Sequence, residues 1–85
     1  MVVRGMVQGV GFRWHARRVA LQLNLRGYVR NQRDRSVEVM AEGPEDALRQ
    51  LASYLKEGPS PASVESIDIE WLPYGGTFGS FEVRF

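Results

Sequence analysis

The chain has 85 residues, 44% of them hydrophobic, and its 11 Lys+Arg and 10 Asp+Glu leave a net charge of +1. This length bounds it to one domain over residues 1–85, with a small core that buries roughly 60–65% of the unfolded surface. The near balance of charge argues against a broad basic face, the absence of cysteine excludes a disulfide scaffold, a thiolate metal site and a cysteine nucleophile, and the lone His15 argues against a zinc cluster.

The chain opens with MVVR, a short apolar, β-branched run that reads as a strand close to its natural start. Arg4 and Gly5 interrupt this apolar beginning before a signal peptide could form. No apolar run approaches the ~20 residues needed to span a bilayer, so a soluble, cytoplasmic protein is expected. A glycine-rich loop follows. Phe12, Ala16, Val19, Ala20 and Leu23 then recur at helical spacing, predicting an amphipathic helix from about Phe12 to Leu23. Asn24 stands where a left-handed cap would end it, a conformation that asparagine tolerates.

LRGYVRN alternates, with Leu25, Gly27, Val29 and Asn31 on one face and Arg26, Tyr28 and Arg30 on the other, as a strand does. QRDR is a polar turn, and SVEVMAEG is the returning strand of a hairpin, with Val37, Val39 and Ala41 on one face. Gly43-Pro44 opens a second helix, with proline at the first helical position. Glu45 and Asp46 complement the positive end of its dipole, and Lys56 lies near the negative end. Leu48, Leu51 and Leu55 form its predicted buried stripe, and Gly58-Pro59 stops it.

GPSPAS reads as a stiff loop and PYGGTFGS as a turn-rich connection. VESIDIEWL and FEVRF are strands, with Ile67, Ile69, Trp71, Phe81, Val83 and Phe85 expected to face inward. The order is β-α-β-β-α-β plus a final strand. Both helices must cover one face of a mostly antiparallel sheet, which is a ferredoxin-like α+β sandwich.

The stretch VQGVGFRWHAR connects the first strand to the first helix. Glycines there let backbone N–H groups converge on an anion, and the helix N-terminus adds unpaired donors and about half a positive charge. Arg13 lies in the first turn, where a cation is unfavourable to the helix itself. Facing a phosphate, its planar fork can donate two hydrogen bonds, whereas a solvated arginine after a flexible loop is the plainer alternative. The stretch lacks the Gly-Lys-Ser/Thr ending of a nucleotide-binding P-loop. A phosphate cradle without a protein nucleophile implies attack by water, or binding without chemistry.

A strand–helix–strand crossover leaves its two strands parallel, so their C-terminal ends share one sheet edge. Asn31, at the end of the second strand, is therefore expected on the same edge as Arg13. Its amide could hold a water there, or merely cap the hairpin. Arg30, Arg33 and Arg35 would surround that edge, attracting an anionic substrate or only solubilising the hairpin.

These residues resemble acylphosphatase. GMVQGVGFR, Gly5 to Arg13, is similar to the first signature of that family, and GYVRNQRDRSVEVMAEG, Gly27 to Gly43, to the second. The loop after the second helix and the FEVRF ending are also similar, so the resemblance covers essentially the whole chain. It implies hydrolysis of a small-molecule acyl phosphate to a carboxylate and inorganic phosphate, without metal or cofactor. By resemblance the phosphate-binding set is Gln8, Gly9, Val10, Gly11, Phe12 and Arg13, acting through the Arg13 side chain and backbone N–H groups of the 9–13 loop. Arg13 and Asn31 are the catalytic pair, with Asn31 orienting the attacking water.

Inorganic phosphate or other anions are then expected as product or inhibitor, and a monomer without nucleic-acid or membrane partners is expected. His15, one turn into the helix, is expected to be partly exposed and non-catalytic. Three departures from the pattern stand out. Arg35 replaces a turn glycine, Asn24 replaces a frequent glycine at the helix end, and the first strand begins late, so its outer end is expected to pair poorly. A phosphate-binding module without turnover, like the acylphosphatase-like domains of larger maturation enzymes, is the competing reading. RNA recognition shares the element order, but SVEVMAEG carries no aromatic for base stacking.

Overall fold

The sheet runs β4-β1-β3-β2-β5, built from β1 (Val2–Met6), β2 (Arg26–Asn31), β3 (Val37–Glu42), β4 (Ser63–Asp68) and β5 (Phe81–Arg84). The helices are α1 (Phe12–Gln22) and α2 (Glu45–Glu57). The computed structural model describes residues 1–8, 11–58, 63–72 and 75–84, with Ser63 described by its backbone alone. The expectations for Gly9, Val10, the interior of the 58–63 loop, Pro73, Tyr74 and Phe85 lie outside the described residues.

Antiparallel ladders join β1 to β3, β1 to β4, and β2 to β3, and β5 pairs with β2 in parallel. Because β3 lies between β1 and β2 and opposes both, those two strands run the same way, as the crossover rule requires. This is the ferredoxin-like α+β arrangement with an added strand. No helix among the described residues is long and apolar enough to cross a membrane.

The core forms where the periodicities meet. Val3, Val29, Val37 and Val39 from the sheet share one buried cluster with Phe12, Ala16 and Ala20 of α1 and with Leu51 and Leu55 of α2. Each large side chain of this kind stabilises the fold by about 1.5–3 kcal/mol through loss of apolar surface to water. In α1 the buried residues recur every fourth position, and the two alanines let the helix approach the sheet closely. Its end is the left-handed cap expected: Asn24 has φ 59, while Leu25 N–H donates to Ala20 O at 2.9 Å and Asn24 N–H to Leu21 O at 3.1 Å.

Several boundaries differ from expectation. The first strand extends to Met6, two residues past MVVR. Pro44 is the residue before α2, with ψ 144, and is not its first helical residue. Ala47 joins Leu51 and Leu55 in the buried stripe, whereas Leu48 packs only at its rim.

Ile69 and Trp71 do not face inward: they are 42% and 49% exposed. The β1–β4 ladder reaches Val2↔Asp68, and β4 has β1 as its neighbour at this edge of the sheet, so the apolar alternation of VESIDIEWL continues past its pairing. Trp71 instead lies beneath the Arg49 guanidinium, 5.2 Å from the ring centroid.

The β2–β3 hairpin fixes the edge that matters for the site. Its register runs from Arg26↔Glu42 to Asn31↔Val37. At Gly27, φ is 144 and an added Cβ would lie 1.8 Å from the Met40 carbonyl oxygen, so only glycine fits. The turn closes with Gln32 N–H to Ser36 O at 2.9 Å and Arg35 N–H to Gln32 O at 3.2 Å. Arg35 sits there at φ 71, in the left-handed position where hairpins of this length favour glycine. At the other end of β3, the Glu42 carboxylate accepts from Gly76 N–H (3.0 Å) and Phe78 N–H (2.8 Å), tying the connection before β5 to the sheet.

Candidate active site

Three consecutive residues set the geometry where β1 hands over to α1. Gly11 precedes the helix at φ 74 and ψ 15. Among the described residues an added Cβ would meet nothing nearer than the His15 ring at 3.8 Å, and glycine answers the conformational demand of φ 74 there. Phe12 is 2% exposed and anchors the start of the helix in the core. Its side chain is consumed by packing, which leaves only its backbone to face a ligand. Arg13 follows, half-buried, with Nη1 donating to the Arg84 backbone carbonyl at 3.0 Å. The first turn of α1 contains no acidic residue, so no side chain of its own neutralises the positive end of the helix.

Asn31 ends β2 and is exposed. It and Arg13, eighteen positions apart, line one pocket of about 170 Å³ together with Val7, Gly11, Phe12 and Trp14. Gly9 and Val10, which complete the expected phosphate-binding set, lie outside the described residues.

Gln8 approaches the site differently. Its side-chain Nε2 donates to the carbonyls of Gln32 and Ser36, both at 2.9 Å. These carbonyls belong to the turn directly after Asn31, so the amide joins the loop carrying Arg13 to the hairpin carrying Asn31. The hairpin end is itself tightly bonded. Ser36, 2% exposed, donates its N–H to Asp34 Oδ1 at 3.0 Å, and its hydroxyl lies against Asp34 Oδ1 and Gln32 Oε1. Arg4 of β1 adds a 3.1 Å hydrogen bond to Asp34 Oδ2. The Ser36 hydroxyl, the Ser36 N–H and Arg4 together hold the Asp34 carboxyl down at about 2.

Of the basic residues expected around the edge, Arg33 and Arg35 are exposed on the turn. Arg30 is engaged elsewhere, with Nε 2.6 Å from Glu38 Oε1. His15 is partly exposed, with Nδ1 3.2 Å from Arg18 Nη2.

A preorganised arginine, an amide side chain and a helix start facing one small pocket are suited to an anion and a water. The acylphosphatase family model matches residues 1–83. The chain belongs to the acylphosphatase family.

An acylphosphatase of Salinibacter ruber is 48% identical over 82 residues, covering 96% of this chain and 86% of that protein. The crystal structure of acylphosphatase from Bacillus subtilis superposes with a TM-score of 0.94 at 34% identity, covering 99% of this chain and 93% of the other. The same fold occurs inside a larger protein. The crystal structure of T. kodakarensis HypF matches 99% of this chain at 34% identity with a TM-score of 0.82, although the match covers only 12% of that longer chain. Membership places the chain among acylphosphatase hydrolases, a family whose reaction is the hydrolysis of acyl phosphates.

Two features of the site carried no signal in the residue pattern. The Arg84 contact uses a backbone carbonyl, which any residue would supply, and it spans 71 positions. The use of the Gln8 side chain as a brace depends on where the hairpin turn falls in space.

Proposed function

We propose that this acylphosphatase hydrolyses its substrate by direct attack of water on phosphorus. The observation that carries the reading is the shared pocket: Arg13 from the first turn of α1 and Asn31 from the end of β2 line the same 170 Å³ space. Arg13 holds the phosphoryl group, with backbone N–H groups of the 9–13 loop as further donors. Its contact with the Arg84 carbonyl supports this role, because a guanidinium already held by a hydrogen bond loses less freedom when the ligand arrives.

Asn31 orients the attacking water. The water oxygen forms a bond to phosphorus while the bond from phosphorus to the acyl oxygen breaks. The electron pair leaves on the carboxylate, which needs no proton to depart. The proton of the water passes to a phosphoryl oxygen of the substrate. Such a transition state calls for positioning and charge stabilisation more than for covalent help. The α1 terminus, free of acidic residues in its first turn, is suited to the charge on the equatorial oxygens. Neither metal nor cofactor takes part in this scheme.

An acyl phosphate made chiral at phosphorus by sulfur and oxygen isotopes tests the single displacement. Inversion of configuration is the expected result, and retention would mean that a phosphoryl group passes through an enzyme-bound intermediate.

A further inference from the structure

Trp14 is 54% exposed, yet it lines the pocket that contains Arg13 and Asn31. Its place on α1 is off the buried stripe of Phe12, Ala16 and Ala20. The core therefore does not require an indole at this position. Leaving so large an apolar group half in water gains little for folding, which invites a role in binding.

The other described walls of the pocket narrow the possibilities. Arg13 and Asn31 are the polar groups. Gly11 has no side chain, while Val7 and Phe12 are sealed into the core at 1% and 2% exposure. Among the described lining residues, only Trp14 offers extensive exposed apolar surface. An acyl phosphate has two unlike ends, a dianionic phosphoryl group and an acyl group that departs as carboxylate. With the phosphoryl end on Arg13, the acyl end meets whatever apolar wall lies within the same small pocket.

We infer that Trp14 is a specificity residue whose indole packs against the acyl group, favouring aromatic or extended apolar acyl phosphates over acetyl phosphate. The inference rests on the role of Arg13 proposed above and adds the substrate class. Indole stacking also explains why a cation and an aromatic stand side by side at the start of α1: each meets one end of the same molecule.

The test compares benzoyl phosphate with acetyl phosphate as substrates for the wild type, Trp14→Ala and Trp14→Phe. In Trp14→Ala, the ratio of kcat/KM for benzoyl phosphate to that for acetyl phosphate should fall roughly 3- to 10-fold, the range of one aromatic stacking contact. The loss should appear mainly in KM, and Trp14→Phe should restore most of the ratio. Inhibition by inorganic phosphate, read in the same variants, reports whether the cradle is intact. An unchanged ratio in Trp14→Ala, with phosphate inhibition preserved, would overturn the inference. A change of ratio that Trp14→Phe does not rescue would also overturn it, since stacking would then not be its cause. Failure of the underlying reading is separate: it would show as an Arg13→Ala variant that hydrolyses both substrates normally.

Discussion

Arg13 Nη1 donates to the backbone carbonyl of Arg84, bridging the first helix and the last strand at 3.0 Å. An arginine in the first turn of a helix is electrostatically misplaced, because the helix presents positive partial charge there. The carbonyl offsets part of that cost and fixes the direction of the fork. The parallel pairing of β5 with β2, and the ties from Glu42 to Gly76 and Phe78, hold this carbonyl where the arginine needs it. The last strand thus positions Arg13 in the candidate site as well as completing the sheet.

Gln8 is expected to act as a brace. Its Nε2 spans from the loop to the carbonyls of Gln32 and Ser36, and net contributions of about 0.5–1.5 kcal/mol per hydrogen bond make the pair worth roughly 1–3 kcal/mol. Gln8→Ala should lower stability by that amount in urea denaturation and reduce kcat by loosening Arg13 against Asn31. Gln8→Glu should be worse than alanine at neutral pH, since it turns a carboxylate toward two carbonyl oxygens. If Gln8→Ala proves as stable and as active as the wild type, the brace is unimportant.

Arg35 occupies a left-handed turn position at φ 71, where a side chain costs about 1 kcal/mol relative to glycine. Arg35→Gly should therefore raise stability by up to about 1 kcal/mol, a shift in Tm of roughly 4–8 °C per kcal/mol for a domain of this size. Removing a cation from the rim should also show whether the exposed hairpin arginines steer substrate. If they do, kcat/KM falls and its dependence on ionic strength weakens, with kcat unchanged.

Asp34 links stability to pH at the hairpin. Its carboxyl titrates at about 2 in the folded chain, below the ordinary 3.8, because Ser36 and Arg4 favour the charged form. A group with a depressed folded value contributes stability above its unfolded value and loses that contribution as pH falls through the folded one. The wild type should therefore lose stability relative to Asp34→Asn between about pH 4 and pH 2, with a constant difference above pH 5. Chemical denaturation at pH 6, 4, 3 and 2 measures this, and parallel curves for the two proteins would exclude a role for the carboxyl.

Asn31→Ala separates orientation of water from binding of phosphate. The expected result is a large fall in kcat, while inorganic phosphate inhibits at nearly its wild-type concentration. A matching loss of phosphate inhibition would make Asn31 a phosphate ligand instead.

Much of the fold was legible because the apolar spacing changes from alternate residues to every third or fourth where strands give way to helices. The Asn24 cap followed from local chemistry, and the shared sheet edge of Arg13 and Asn31 from the parallel course of the two strands that the first helix connects. What remained hidden depended on pairing partners. The alternation of Ile67, Ile69 and Trp71 gives no sign that the ladder reaches only to Asp68, because pairing depends on where β1 begins its run beside β4. Ala47 escapes the pattern because alanine is a weak hydrophobic signal, although at 8% exposure it belongs to the buried stripe of α2. The Gln8 brace and the Arg84 carbonyl arise only once distant segments are brought together.

If Arg13 holds the phosphoryl group with a preorganised fork, kcat/KM for acyl phosphate hydrolysis must collapse in both Arg13→Ala and Arg13→Lys. Both should fall by at least the ~10²–10³-fold typical of losing one preorganised donor, lysine included, because a point charge cannot reproduce two planar donors. Near-normal hydrolysis by Arg13→Ala would mean that the phosphoryl group is held by other residues.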